Sequence, residues 1–220
     1  MASAIGNRVI VVGGGASGMM AAGLASELGA DVLLFEKTDS PGKKILISGK
    51  TRCNLTNTKE LGDFIAQFGE NGRFLYSAFH RFFRDDLLSF LERHGVATKT
   101  ERGGRVFPAS DDARDVVAAL EQYLRQSGVE LRTGARVTEI LVDKGQVNGV
   151  RTEQGVYAAG AVILATGGAS YPETGSTGDG YCMAEAVGHT IVKLRPALVP
   201  LVVYEVQRAK SMQGVSLRNV

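Results

Sequence analysis

Apolar residues fill nearly every position of three short runs and recur at every third or fourth position in longer ones. The short runs are Arg8–Val12, Asp31–Glu36 and Ala161–Ala165, and their length and β-branched content predict buried strands. Between the first two, Ala16 to Leu28 reads as a helix that stops at Gly29. Leu61, Phe64, Ile65 and Phe68 recur at helical spacing, as do Phe79, Phe82, Phe83, Leu87, Phe90 and Leu91. Lys99 to Phe107, with Gly103-Gly104 inside it, reads as a small hairpin. Asp111 and Asp112 then open an amphipathic helix carrying Val116, Val117, Leu120 and Leu124, closed by Gly128.

Val129 to Tyr157 reads as strands with turns at Lys144-Gly145 and Gln154-Gly155. Tyr181 to Val187 reads as a helix, and Thr190 to Val220 as strand-rich, with candidate strands at Val199 to Val203 and Val215 to Leu217. Two segments carry no regular pattern: Lys37 to Asn57 and Pro172 to Gly180.

The chemistry begins where the first strand ends. Gly13, Gly15 and Gly18 have GxGxxG spacing, framed by Ala16 and Ser17, and Glu36 closes the second strand. The first glycine allows a sharp exit from the strand, and the second lets backbone approach a pyrophosphate. The third lets helix and strand pack closely. The helix start offers free N–H groups and partial positive charge to phosphates. Glu36 can accept from ribose hydroxyls and repel a 2′-phosphate, which favours NAD or FAD over NADP. Strand, helix and acid all arrive at the expected spacing, so the segment predicts a dinucleotide site.

Composition removes other classes. A net charge of +2 gives no reason to expect nucleic acid or an anionic membrane. No apolar stretch approaches a membrane span, and the N-terminus lacks a signal-peptide pattern, so a cytoplasmic protein is expected. Cys53 and Cys182 make no disulfide framework, and His80, His94 and His189 are too scattered for a metal site. Cys53 has no partner at CxxC spacing and reads as a small buried residue. Cys182 reads as core and His80 as packing within its aromatic helix.

The loop narrows the cofactor. Ser48, Gly49, Asn54 and Thr56 offer small polar groups to a flat polar ring, and Lys43, Lys44, Lys50 and Arg52 give positive charge without an acid between Gly42 and Asn57. A cation beside the pyrimidine side of a flavin raises its reduction potential. The alternative for each lysine, and for Arg52, is a solvated loop cation. A long stretch of loop, helices and meander separates Glu36 from the next parallel-strand candidate at Ala161. That layout suits an interrupted flavoprotein sheet better than an NAD dehydrogenase.

Three segments carry a resemblance to a known family: Gly42 to Asn57, Gly104 to Pro108, and Ala165 to Tyr181. Together they resemble the BaiN-like, or aminoacetone-oxidase-type, bacterial NAD(P)/FAD-dependent oxidoreductases. The resemblance implies an α/β, Rossmann-like domain of the glutathione-reductase type with FAD bound in it. Gly13 to Gly18 would hold the pyrophosphate, Glu36 and the adjacent Lys37 the adenosine side, and backbone at Val137 the adenine. Lys43, Lys44, Ser48, Arg52, Cys53, Asn54 and Thr56 would line the flavin side, with Ala165, Thr166, Gly167 and Gly168 passing close to the cofactor. Thr51 stands where the family usually has glycine, and threonine would be strained there if the position takes positive φ.

The implied activity is hydride transfer between flavin and a small organic substrate, with NAD(P)H or oxygen as second partner. The catalytic acid or base stays unassigned. A non-catalytic truncated nucleotide-binding fragment and an NAD-dependent dehydrogenase are the alternatives. Family members are longer. Residues 1–195 are therefore expected to be the front of the FAD domain, with a helical insertion at about 58–128, and 196–220 the beginning of an inserted β-rich substrate domain.

Overall fold

The computed structural model describes residues 6–196 and 204–215. Its centre is a parallel sheet of β1 (Arg8–Val12), β2 (Asp31–Phe35), β6 (Glu130–Arg132) and β10 (Ala161–Leu164), in the order β10-β1-β2-β6. Helix α1 (Ala16–Glu27) crosses from β1 to β2. Val12 lies level with Phe35 on one side and Leu164 on the other, so the three central strands end together. The chain leaves β1 toward β2 on one side while β10 lies on the other. This makes the carboxyl end of β1 a topological switch point, where open α/β sheets bind ligands.

Both faces of the sheet are covered, which explains why its strands are apolar throughout. Val11, Val32 and Leu34 face α1 and α6 (Ala113–Gln126), whose Met19, Val116, Leu120 and Leu124 complete one core. Asp112 caps α6 by accepting from the Arg114 N–H, as the acidic start of that segment implied. Ile10, Val12, Leu33 and Phe35 face the other way, onto Val137, Val150 and Ala159. Those residues come from an antiparallel meander: β7 (Val137–Asp143), β8 (Gln146–Thr152), β9 (Gly155–Ala158) and its flank. Lys144 and Gly145 both have positive φ at the β7–β8 turn, as a two-residue hairpin requires.

The segment between β2 and α6 holds α2 (Lys43–Ile47), α3 (Leu61–Ala66), α4 (Tyr76–Arg81) and α5 (Arg84–Arg93). It also contains a small antiparallel sheet of β3 (Thr56–Asn57), β5 (Arg105–Pro108) and β4 (Thr98–Glu101). Helix α2 corrects the expectation of an irregular loop from Lys37 to Asn57. Gly42 takes a left-handed conformation that starts the turn, and Ile45 buries into the helix-side core. Helix α7 spans Asp179–Ala186, two residues earlier than its apolar pattern predicts. Cys182 on it is exposed rather than core, because the buried face belongs to Gly180 and Met183. His80 is exposed and stacks on Tyr76.

Residues up to His189 form one compact unit, and those from Thr190 a second, smaller one. The strand candidate Val199 to Val203 lies outside the described residues, as do Ser216 and Leu217 of the other. Among the described residues of this second unit, Val206–Ser211 is a helix, α8, against the strand-rich expectation. Its run of Gln, Arg, Ala and Lys favours helix.

Candidate dinucleotide site

The glycine turn works through close approach. Gly13 has φ of 109°, and a Cβ there would sit 2.5 Å from the Ala165 carbonyl oxygen. A Cβ on Gly18 would lie 1.8 Å from the Gly13 carbonyl oxygen, so α1 can rest on the turn only with glycine at 18, just as the turn can pass the end of β10 only with glycine at 13. The Gly13 N–H donates to the Phe35 carbonyl and the Ala165 N–H to the Val12 carbonyl. The turn is thus held between β2 and β10. Helix α1 has Gly15 as N-cap, with no side chain capping it and no acid in its first turn. Its free N–H groups therefore fit an anion such as a pyrophosphate.

Glu36 follows β2 and is largely buried. Its Oε2 accepts from the Gly14 N–H at 2.7 Å and its Oε1 from the Thr38 N–H at 2.8 Å. The carboxylate is thereby aimed at the glycine turn, and an ionised carboxylate has further acceptor positions for hydroxyl groups.

A cavity of about 510 Å³ runs across the strand ends. Its middle is Gly13, Gly15, Ala16 and Ser17 with Ala165, Thr166 and Gly167. On the meander side it is lined by Phe35, Glu36, Lys37, Ala135, Val137 and Asp179. On the helix side it reaches Ile45, Ser48, Cys53, Asn54, Leu87, Phe90, Leu91, Val116 and Leu120. Lys43 and Lys44 line it too. A cavity with free N–H groups at the glycine turn, a carboxylate on one wall, and an opposite wall that is mostly apolar but carries Ser48 and Asn54 fits a dinucleotide with a flat polar ring.

Of the residues that sequence reasoning gathered, this cavity brings together Gly13, Gly15, Ala16, Ser17, Glu36, Lys37, Lys43, Lys44, Ser48, Cys53, Asn54, Val137, Ala165, Thr166 and Gly167. Gly18 acts one layer behind, through its packing on Gly13. Thr56 is spent in β3, paired with Val106, and Gly168 sits behind the lining, where its carbonyl accepts from Gly178 N–H.

Arg52 is a correction to the flavin-facing expectation. Its guanidinium bonds Glu101 at 2.8 Å and Asp111 at 3.2 Å and lies 4.1 Å from the centre of the Phe107 ring. Two carboxylates distant in sequence thus pull it away from the cavity. Its work is to pin a strained loop: Gly49, Lys50, Thr51 and Cys53 all have positive φ. Thr51, at 68°, is held in a conformation that glycine would adopt without strain. The Thr51 carbonyl also accepts from the Ala113 N–H at the start of α6.

The four loop cations separate on the same grounds. Lys43 pairs with Asp39, and Lys50 is exposed. Lys44 reaches the cavity wall and donates to the Ser170 carbonyl and the Ser176 hydroxyl, both neutral oxygens. Burial pushes the Cys53 thiol above its ordinary pKa, and hydrogen bonding with Ser48 offsets this only in part. That is the setting of an inert structural cysteine.

Sequence reasoning missed the helix-side wall from α5 and α6 and missed Arg136, and so did not see that Lys37, Arg136 and Asp179 meet. Asp179 Oδ2 accepts from Lys37 Nζ at 2.9 Å, and its Oδ1 from Arg136 at 3.2 Å and the Thr177 hydroxyl at 2.9 Å. The position after Gly178 was the only visible signal for Asp179. Burial alone would raise its pKa, but the bonds from Lys37, Thr177 and Arg136 outweigh it and hold the carboxyl below its ordinary value.

With this geometry in place, comparison with known proteins is informative. Residues 7–220 match the family described as HI0933-like protein Rossmann domain. The 3-dehydro-bile acid delta(4,6)-reductase of Clostridium scindens is 40% identical over 208 residues, covering 93% of this chain and 50% of that protein. The ribosomal RNA dihydrouridine synthase of Escherichia coli is 32% identical over 216 residues, covering 96% of this chain and 52% of that one. The chain therefore spans about half the length of these relatives. Among solved structures, the open conformation of a flavocytochrome c3 fumarate reductase is similar with a TM-score of 0.61 at 24% identity. That likeness covers 84% of this chain and 41% of that one and speaks to the fold.

Proposed function

The chain belongs to the HI0933-like family of Rossmann-domain, FAD-dependent flavoprotein oxidoreductases, and from that premise we propose that it forms the FAD-holding part of an enzyme reducing a small organic substrate. The observation that carries this reading is the single cavity joining Glu36, the glycine turn and the Ser48–Asn54 loop across the switch point of the sheet. In the proposed arrangement Glu36 and the backbone at Val137 hold the adenosine, and the start of α1 the pyrophosphate. Ser48, Asn54 and the Thr166-Gly167 backbone face the flavin ring. The apolar wall of Leu87, Phe90 and Leu91 excludes water from that side. FAD, when bound, supplies the hydride chemistry.

The substrate class is inferred from the relatives. A delta(4,6)-reductase of a 3-dehydro compound and a dihydrouridine synthase both saturate a carbon–carbon double bond conjugated to a carbonyl. We extend that class to this protein, with NAD(P)H as reductant and oxygen as the competing acceptor. The test is anaerobic. Protein loaded with FAD is reduced by NADH or NADPH and mixed with a panel of conjugated enones, a 3-oxo-Δ4 steroid and uridine. Reoxidation of the flavin by one class, with the saturated product recovered, supports the reading. A flavin that none of them reoxidises, and that turns over only when air is admitted afterwards, would reject it.

A further inference from the structure

Two cations flank the carboxylate proposed to hold the ribose. Lys37 is the next residue after Glu36, and Arg136 follows Ala135, whose N–H donates to the Glu36 carbonyl at 3.0 Å. Both line the cavity on the wall that Glu36 occupies. The chain before α7 closes over the same place. A Cβ on Gly175 would be 3.4 Å from Lys37 Cε and 3.9 Å from Glu36 Oε1. Left free, an arginine and a lysine there would make a phosphate-binding pair, since a nearby arginine is what accommodates a 2′-phosphate in dinucleotide folds. They are not free. Asp179 takes one bond from each, through different oxygens, and its side chain is only 18% exposed.

We infer that Asp179 is a specificity-determining residue of the adenosine wall: by occupying Lys37 and Arg136 it withholds them from a 2′-phosphate and reserves the site for FAD against NADPH. The inference rests on the adenosine assignment to Glu36. The division of labour is simple. Glu36 repels a 2′-phosphate directly, and Asp179 removes the two cations that would compensate for that repulsion. An enzyme that meets NADPH as a reductant has reason to keep it out of the cofactor site.

The probes are adenosine 5′-diphosphate and adenosine 2′,5′-bisphosphate, each titrated calorimetrically into the purified chain. Wild type should prefer the 5′-diphosphate. Asp179→Asn should move the ratio of the two affinities toward the 2′,5′-bisphosphate by roughly tenfold, the scale of a charge-assisted contact. The double variant K37M/R136M leaves the Asp179 carboxylate uncompensated and should move the ratio the opposite way, so the inference is testable even if Asp179→Asn folds poorly. Equal weakening of both ligands in Asp179→Asn, or an unmoved ratio in the double variant, would make Asp179 a structural tie and overturn it. Wild type binding neither nucleotide would instead overturn the adenosine assignment, a separate failure.

Discussion

The two walls of the cavity are built by opposite means. The meander-side wall and the glycine turn rest on backbone: N–H groups at the start of α1, the Gly13–Gly18 contact, and a carboxylate fixed by the Gly14 and Thr38 N–H groups. Nearly all of this comes from residues 8–38, one βαβ unit. The helix-side wall is side-chain packing, with Leu87, Phe90 and Leu91 of α5 meeting Val116 and Leu120 of α6. In the proposed arrangement the first wall recognises charge and hydroxyl geometry, and the α5–α6 part of the second offers volume and dryness beside the polar groups of Ser48 and Asn54. A ligand held by both must be polar at one part and flat and apolar at another.

That contrast can be broken from either side. The largest effect should come from Gly18→Val, which drives a side chain into the Gly13 carbonyl and separates α1 from β1, costing about 3 kcal/mol or more. Chemical denaturation measures it, and a stable variant would mean the turn is more pliable than the contact implies. Next, Leu91→Ala should cost ~2–5 kcal/mol of stability while leaving adenosine 5′-diphosphate affinity unchanged at a temperature where the variant is folded. Loss of nucleotide affinity there would show that the two walls are coupled.

Thr51→Gly should stabilise by about 1 kcal/mol, because it releases a β-branched residue from positive φ at some cost in chain entropy. Destabilisation would mean that the exposed hydrogen bond from the Thr51 hydroxyl to the Lys50 carbonyl outweighs the strain. Arg52→Ala should leave the flavin midpoint potential unmoved while making the loop more open to proteolysis. A lowered potential would return Arg52 to the flavin.

The same contrast explains what could be read in the sequence. β1, α1, β2 and Glu36 were legible because each is fixed by neighbours within a few residues and by a glycine spacing with one geometric meaning. The meander and its Lys144-Gly145 turn were legible for the same reason. Arg52 was misplaced because its partners, Glu101 and Asp111, lie 49 and 59 residues away. A loop free of acids in sequence is not free of them in space. The helix-side wall was invisible because helical periodicity tells which face of α5 is apolar but not which helix it meets. Lys37, Arg136 and Asp179 come together from three segments about 100 and 40 residues apart, which meet only once the meander docks on the strand ends.

The central claim is that this cavity holds FAD with its adenosine at Glu36, and one paired titration tests it. FAD and FMN are added separately to wild type and to Glu36→Ala, with flavin fluorescence as the readout. The account predicts that wild type binds one FAD and prefers it to FMN. Glu36→Ala should lose ~1.5–3 kcal/mol of FAD affinity, the scale of a charged hydrogen bond, with FMN affinity unmoved. Unchanged FAD affinity in Glu36→Ala, or equal affinity of wild type for FAD and FMN, would contradict it.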